Sequence, residues 1–141
     1  MAKAILLAED SEDDAILFKQ VVDYCRVENP VMNVRDGTAA IAYLEGSGDF
    51  ADRSKYPLPG ILVLDIRMPG GDGFSVLQWL EKNPAIKSKL LVIVLSGFGE
   101  VNQIRRAYDL GANSFLTKPF TQQDLENLIR HFDGRWKRAT A

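Results

Sequence analysis

Four places along the chain carry side chains that could do chemistry together: the acidic pair Glu9-Asp10, Asp65, Ser96 and Lys118. Asp65 ends the apolar run Ile61-Leu62-Val63-Leu64 and leads into a turn that holds Pro69, Gly70, Gly71 and Gly73. The run is too short for a separate helix and rich in strand formers, so it reads as a buried strand whose last residue is a carboxylate. Glu9-Asp10, Ser96 and Lys118 each follow a short apolar run in the same way. Three carboxylates gathered at one place repel one another and rise in pKa unless a cation sits among them. Oxygen donors without histidine or thiolate suit magnesium, which takes only one or two protein carboxylates and keeps several waters. Lys118 and the Ser96 hydroxyl suit an anion that also binds the metal, and a phosphoryl group on Asp65 meets both demands. Each residue alone has a plainer role, as turn aspartate, helix-start acid, turn hydroxyl or surface lysine. Their joint occurrence at the ends of separate strands is what argues for a site.

Whether these residues meet depends on the elements that carry them. Residues 3–8, 32–35, 61–65, 90–95 and 114–117 read as strands. Between them the apolar spacing turns helical. Ser11 is placed to cap a first helix with Phe18, Val21, Val22 and Cys25 on one face, ending before Pro30. Asp36-Gly37 opens a second helix with Ala40, Tyr43 and Leu44, and a third covers 74–81 before Asn83-Pro84. A fourth carries Val101, Ile104 and Tyr108 and stops at Gly111. A fifth, capped by Thr121, shows Leu125, Leu128, Ile129 and Phe132 at i, i+3, i+4 and i+7. Strand and helix thus alternate five times, which requires right-handed parallel crossovers and helices on both faces. The predicted fold is a doubly wound α/β sandwich with a five-stranded parallel sheet and five helices. In such a sheet ligands collect at the carboxyl ends of the strands, where all four places fall. Residues 47–60 form the one sizeable loop and read as a tolerated insertion or a partner surface.

Composition narrows the function. An apolar share of 46% with 26% charged residues is that of a soluble globular protein, and 141 residues suit one domain, 1–141, with a core of about 4–132 and a tail 133–141. No signal peptide and no bilayer-spanning stretch is present, which predicts a cytoplasmic protein without a membrane partner. Cys25, the only cysteine, excludes an internal disulfide and a multi-cysteine metal site, and His131, the only histidine, reads as a helix-end cation or a surface residue. A net charge of -2 argues against nucleic acid as the main partner, and the basic residues Arg135, Lys137 and Arg138 read as a solvated end.

The pair Glu9-Asp10, the block Asp65-Ile66-Arg67-Met68-Pro69 with Asp72-Gly73, Ser96, the Gly111-Ala112 turn and Lys118-Pro119-Phe120 resemble the receiver domain of two-component response regulators. The resemblance runs over nearly the whole chain. It implies a flavodoxin-like sheet of strand order 2-1-3-4-5. It also implies that Asp65 is the phosphoacceptor, taking a phosphoryl group from a sensor histidine kinase. Magnesium would be held by Asp10 and Asp65, with Glu9 through water and the Arg67 main-chain carbonyl. Lys118, before a cis Pro119, would pair with the phosphate, and Ser96 and Phe115 would form the switch. The face of the fourth helix, fifth strand and fifth helix would present the signal.

Phe115 lacks the hydroxyl of the commoner tyrosine, and Gly97 stands where alanine is usual. Arg67 and Phe98 would shield the acyl phosphate, which predicts slow self-dephosphorylation. The long loop and the tail with Trp136 resemble the small stand-alone receivers that accompany phytochrome-type kinases, some of them homodimers. No DNA-binding domain is expected after the fifth helix, so the output is binding of a downstream protein or transfer to a histidine phosphotransfer protein as a phosphorelay intermediate. Catalysis would be confined to the protein's own phosphorylation and dephosphorylation. Two other readings are a magnesium-dependent phosphatase, against which Arg67 counts because such enzymes place an acid there, and a receiver-like module that binds without phosphorylation.

Overall fold

The computed structural model describes residues 3–68, 73–97 and 99–139, so Pro69, Gly70, Gly71, Asp72 and Phe98 lie outside the described residues. Five strands, β1 (Ile5–Ala8), β2 (Val31–Val34), β3 (Ile61–Asp65), β4 (Leu91–Ser96) and β5 (Ser114–Thr117), form one sheet. All pairs are parallel and the order is β2-β1-β3-β4-β5, as the resemblance implied. Strands β1, β3 and β4 have neighbours on both sides and helices on both faces, which is why they are wholly buried and apolar but for Asp65 and Ser96 at the ends of β3 and β4.

Six α-helices are described: α1 (Glu12–Tyr24), α2 (Gly37–Glu45), α3 (Gly73–Glu81), α4 (Pro84–Lys87), α5 (Val101–Asp109) and α6 (Gln122–His131). The additional one is α4, a single turn that Pro84 opens from its first position, where a missing N–H costs nothing. The predicted caps hold. Ser11 accepts from Asp14 N, Asp36 from Ala39 N, and Thr121 and Asp124 form a reciprocal capping box on α6.

Pleat alternation divides the core. Ile5, Leu7, Ile61, Val63, Ile93 and Leu95 face α1 and α6. Leu6, Leu62, Leu64, Val92 and Val94 face α2, α3 and α5. The register sets Asp65 opposite Leu95 and Ser96 opposite Thr117, so the strand ends are level. Gly73 lets α3 start hard against β3: a Cβ there would lie 2.6 Å from the Asp65 carbonyl oxygen.

Two segments are more structured than expected. In the loop after α2, Phe50 and Tyr56 pack their rings on Tyr43, and Arg53 donates to the Tyr43, Leu44 and Tyr56 carbonyls. The tail is docked, although its basic residues Arg135, Lys137 and Arg138 are exposed, as expected. Trp136 is buried in the α1–α6 core, Arg138 bridges antiparallel to Val27, and Asn29 ties the tail down through the Arg135 carbonyl and the Lys137 N–H. The apolar body of one indole outweighs the polarity of its neighbours.

Candidate functional site

The site is assembled at the carboxyl edge of the sheet around one cation. Lys118, first residue beyond β5, donates from Nζ to Asp65 Oδ2 at 2.8 Å, to Asp14 Oδ2 at 3.0 Å and, at closer range, to Glu9 Oε1. The Lys118–Pro119 bond is cis, as expected. Glu9 leaves β1 on the face of Leu7, and Asp65 ends β3 on the face of Val63, so alternation turns both carboxylates to the same side. The backbone fixes their second oxygens: Ser11 N donates to Glu9 Oε2 and Arg67 N to Asp65 Oδ1.

Electrostatics follow from crowding. Burial above all, with the adjacent Asp65 carboxylate, pushes the Glu9 carboxyl up to about 7, although Lys118 pulls it the other way. Burial also works against the charge on Lys118. Its hydrogen bonds to Asp65, Glu9 and Asp14 outweigh that and hold the ammonium pKa above its ordinary value. Carboxylate oxygens of Glu9, Asp10 and Asp65 lie within 4.8 Å of one another. An all-oxygen donor set that repels itself, with one cation already drawn in, fits a hard divalent ion.

The predicted residues do not all converge. Glu9, Asp65 and Lys118 are brought into contact, and Asp10 completes the acid cluster while its carbonyl accepts from Arg35. Ser96 ends β4 with the parity of Val94, so its side chain turns to the α5 face, away from the side of Asp65. There its hydroxyl is buried and has no hydrogen-bond partner among the described residues. Phe115 shares that face, 39% exposed, with its ring edge-on to Tyr108 of α5 at 6.2 Å. The Arg67 side chain points outward, 71% exposed, to an ion pair with Glu100. Asp14 was missed by the sequence reading. It stood in the run Glu12-Asp13-Asp14, and the third residue after an N-cap turns back over the strand it follows.

A doubly wound parallel sheet of this order, with an acid pair after β1, an aspartate closing β3 and a lysine after β5, defines a receiver. The model of the response regulator receiver domain matches residues 5–130, and the chain belongs to that family. Among relatives, it is 31% identical over 134 residues to response regulator Rcp1 of Synechocystis sp., covering 95% of this chain and 88% of that one. In structure it resembles the bacteriophytochrome response regulator RtBRR, with a TM-score of 0.86, 30% identity and coverage of 100% of this chain and 84% of that one. It also resembles the phosphorylated cyanobacterial phytochrome response regulator RcpA, with a TM-score of 0.77, 32% identity and coverage of 96% and 94%. Among the described residues no helix is long and apolar enough to cross a membrane.

Proposed function

We propose that residues 1–141 act as one receiver in the cytoplasm, taking a phosphoryl group on Asp65 from a sensor histidine kinase and converting it into a change on the α5–β5–α6 face. The observation that carries this reading is the Lys118 ammonium held between Asp65 and Glu9 at the strand ends. One Asp65 carboxylate oxygen attacks the phosphorus of a phosphohistidine. A P–O bond forms, the P–N bond breaks, and its electron pair stays on the imidazole nitrogen, which takes up a proton. Lys118 stays within reach of the oxygens that gain charge, so little reorganisation is needed. Magnesium would be held by Asp10, Asp65 and the Arg67 main-chain carbonyl, with Glu9 through water, and would supply neutralisation of phosphoryl charge. Rcp1 has a Mn(2+)-bound form and RcpA a phosphorylated one, which supports both parts of the reading.

Ser96 and Phe115 carry the switch. The Ser96 hydroxyl, buried without a partner among the described residues, gains one by turning to a phosphoryl oxygen. Its departure frees space on the face it shares with Phe115, and the exposed Phe115–Tyr108 pair is where a downstream partner or a second copy docks. Incubation with acetyl phosphate and magnesium, followed by intact mass, tests the central step. The wild type gains one phosphoryl group and Asp65→Asn gains none. No gain on the wild type, or an equal gain on the variant, overturns it.

A further inference from the structure

Glu100, immediately before α5, has no role in the reading above, yet its carboxylate is committed to the site from both oxygens. Oε1 accepts from the Gly97 N–H at 2.8 Å. Oε2 lies 3.2 Å from Arg67 Nε, an ion pair without hydrogen-bond alignment, since Oε2 has no such bond among the described residues. The Glu100 side chain is only 13% exposed. It therefore bridges the turn after β3 and the turn after β4, the two segments that flank Asp65. Arg67 closes the circuit, because its own N–H donates to Asp65 Oδ1 at 2.9 Å.

The position of the Gly97 N–H explains why a carboxylate is there. Gly97 is the first residue past Ser96, and Ser96 is one step beyond the pair Asp65–Leu95. Ile66 N donates to the Leu95 carbonyl, so the Gly97 N–H two residues on faces the same side, toward the end of β3 that carries Asp65; the ladder has ended there, and its acceptor is the Glu100 carboxylate. Gly97 is also matched to Glu100 sterically. A Cβ at position 97 would lie 2.4 Å from Glu100 Oε1, closer than atoms pack, so a side chain there would push the Glu100 carboxylate aside.

We propose that Glu100 is a positioning residue that acts as a placeholder for the phosphoryl group, holding the Gly97 N–H until a phosphoryl group on Asp65 takes it. The proposal rests on Asp65 as phosphoacceptor. One N–H cannot serve two full anionic acceptors, and two anions at that distance repel, so phosphorylation expels the Glu100 carboxylate and leaves Arg67 to follow one charge or the other. Through Glu100 the start of α5 then moves with the phosphorylation state, a link from the site to the signalling face that does not pass through Ser96.

Beryllofluoride, which forms a phosphoryl-like complex on a carboxylate, provides the test with magnesium present. Removing the competitor in Glu100→Ala is expected to tighten beryllofluoride binding about tenfold, the size of one charge-assisted hydrogen bond. Gly97→Ala, which evicts Glu100 by its Cβ, is expected to give a similar gain. The double variant gains no more than either alone, because both remove the same contact. The Gly97 amide resonance of the wild type shifts on beryllofluoride addition, while in Glu100→Ala it is already displaced in the free protein. Unchanged or weaker binding by Glu100→Ala, or gains that multiply in the double variant, overturns the placeholder alone. A wild type that binds no beryllofluoride overturns the reading of Asp65, and the placeholder with it.

Discussion

At the amino end of the strands, Asn29 donates to the Lys3 and Arg135 carbonyls and accepts from Lys137 N, while the Arg135 guanidinium donates to the Gly60 and Lys89 carbonyls. At the carboxyl end, Glu9, Asp14 and Asp65 share one ammonium, and the Ser96 hydroxyl has no partner among the described residues. At the first edge an amide and a guanidinium donate to backbone carbonyls, so the hydrogen bonds are completed within the protein. The second holds like charges together and leaves a hydrogen bond unmade, so an added cation or anion lowers its free energy. Both edges close the same sheet, which teaches that stability and responsiveness are separated here by the direction of the strands.

The difference can be broken from either side. The largest effect is expected at the amino edge: Trp136→Ala empties a buried site in the α1–α6 core and should cost about 4 kcal/mol in urea unfolding. Phosphoryl uptake from acetyl phosphate by the fraction that remains folded should stay at the wild-type rate. A fall in that rate would mean that the edges are coupled. Next in size is the response of the carboxyl edge to metal. Magnesium at about a hundred times its Kd should raise stability by about 2.7 kcal/mol. Glu9→Gln, which keeps the shape but removes one of three crowded charges and one of the two oxygens that accept from Lys118 and Ser11 N, should lose most of that gain. A gain as large as that of the wild type would mean that Glu9 serves Lys118 and not the metal.

The parts of this molecule that were legible in the sequence are those with local signals. Ile61–Asp65 and Leu91–Ser96 announce themselves because a central parallel strand is apolar on both sides, and Glu9, Asp65 and Lys118 because charge stops each run abruptly. The docking of the tail was not legible. Its anchor, Asn29, is 106 residues from Arg135 in sequence, and a polar stretch with one tryptophan has no periodicity to read. Facing was also hidden in part. That Ser96 and Asp65 look to opposite sides follows from the register of β3 with β4, and only the paired sheet supplies it. Glu100 had a faint signal in Gly97, the departure from alanine, but nothing in the sequence tied the two together.

The smallest expected effect draws the boundary between the edge and its surroundings. Asp14 sits 3.0 Å from Lys118 yet its side chain is 44% exposed, whereas Glu9 is buried. A half-exposed ion pair is screened by water and salt, so Asp14→Asn should cost only about 0.5 kcal/mol, and that loss should vanish at high salt. The asparagine leaves the Asp14 N–H to Ser11 intact, so the cap on α1 is not a confounding change. With one competitor for its ammonium gone, Lys118 is freer to follow a phosphoryl group, and uptake from acetyl phosphate should not fall. A loss of stability as large as that of a buried pair, persisting in salt, would instead place Asp14 inside the charged cluster and make the first turn of α1 a fourth wall of the site.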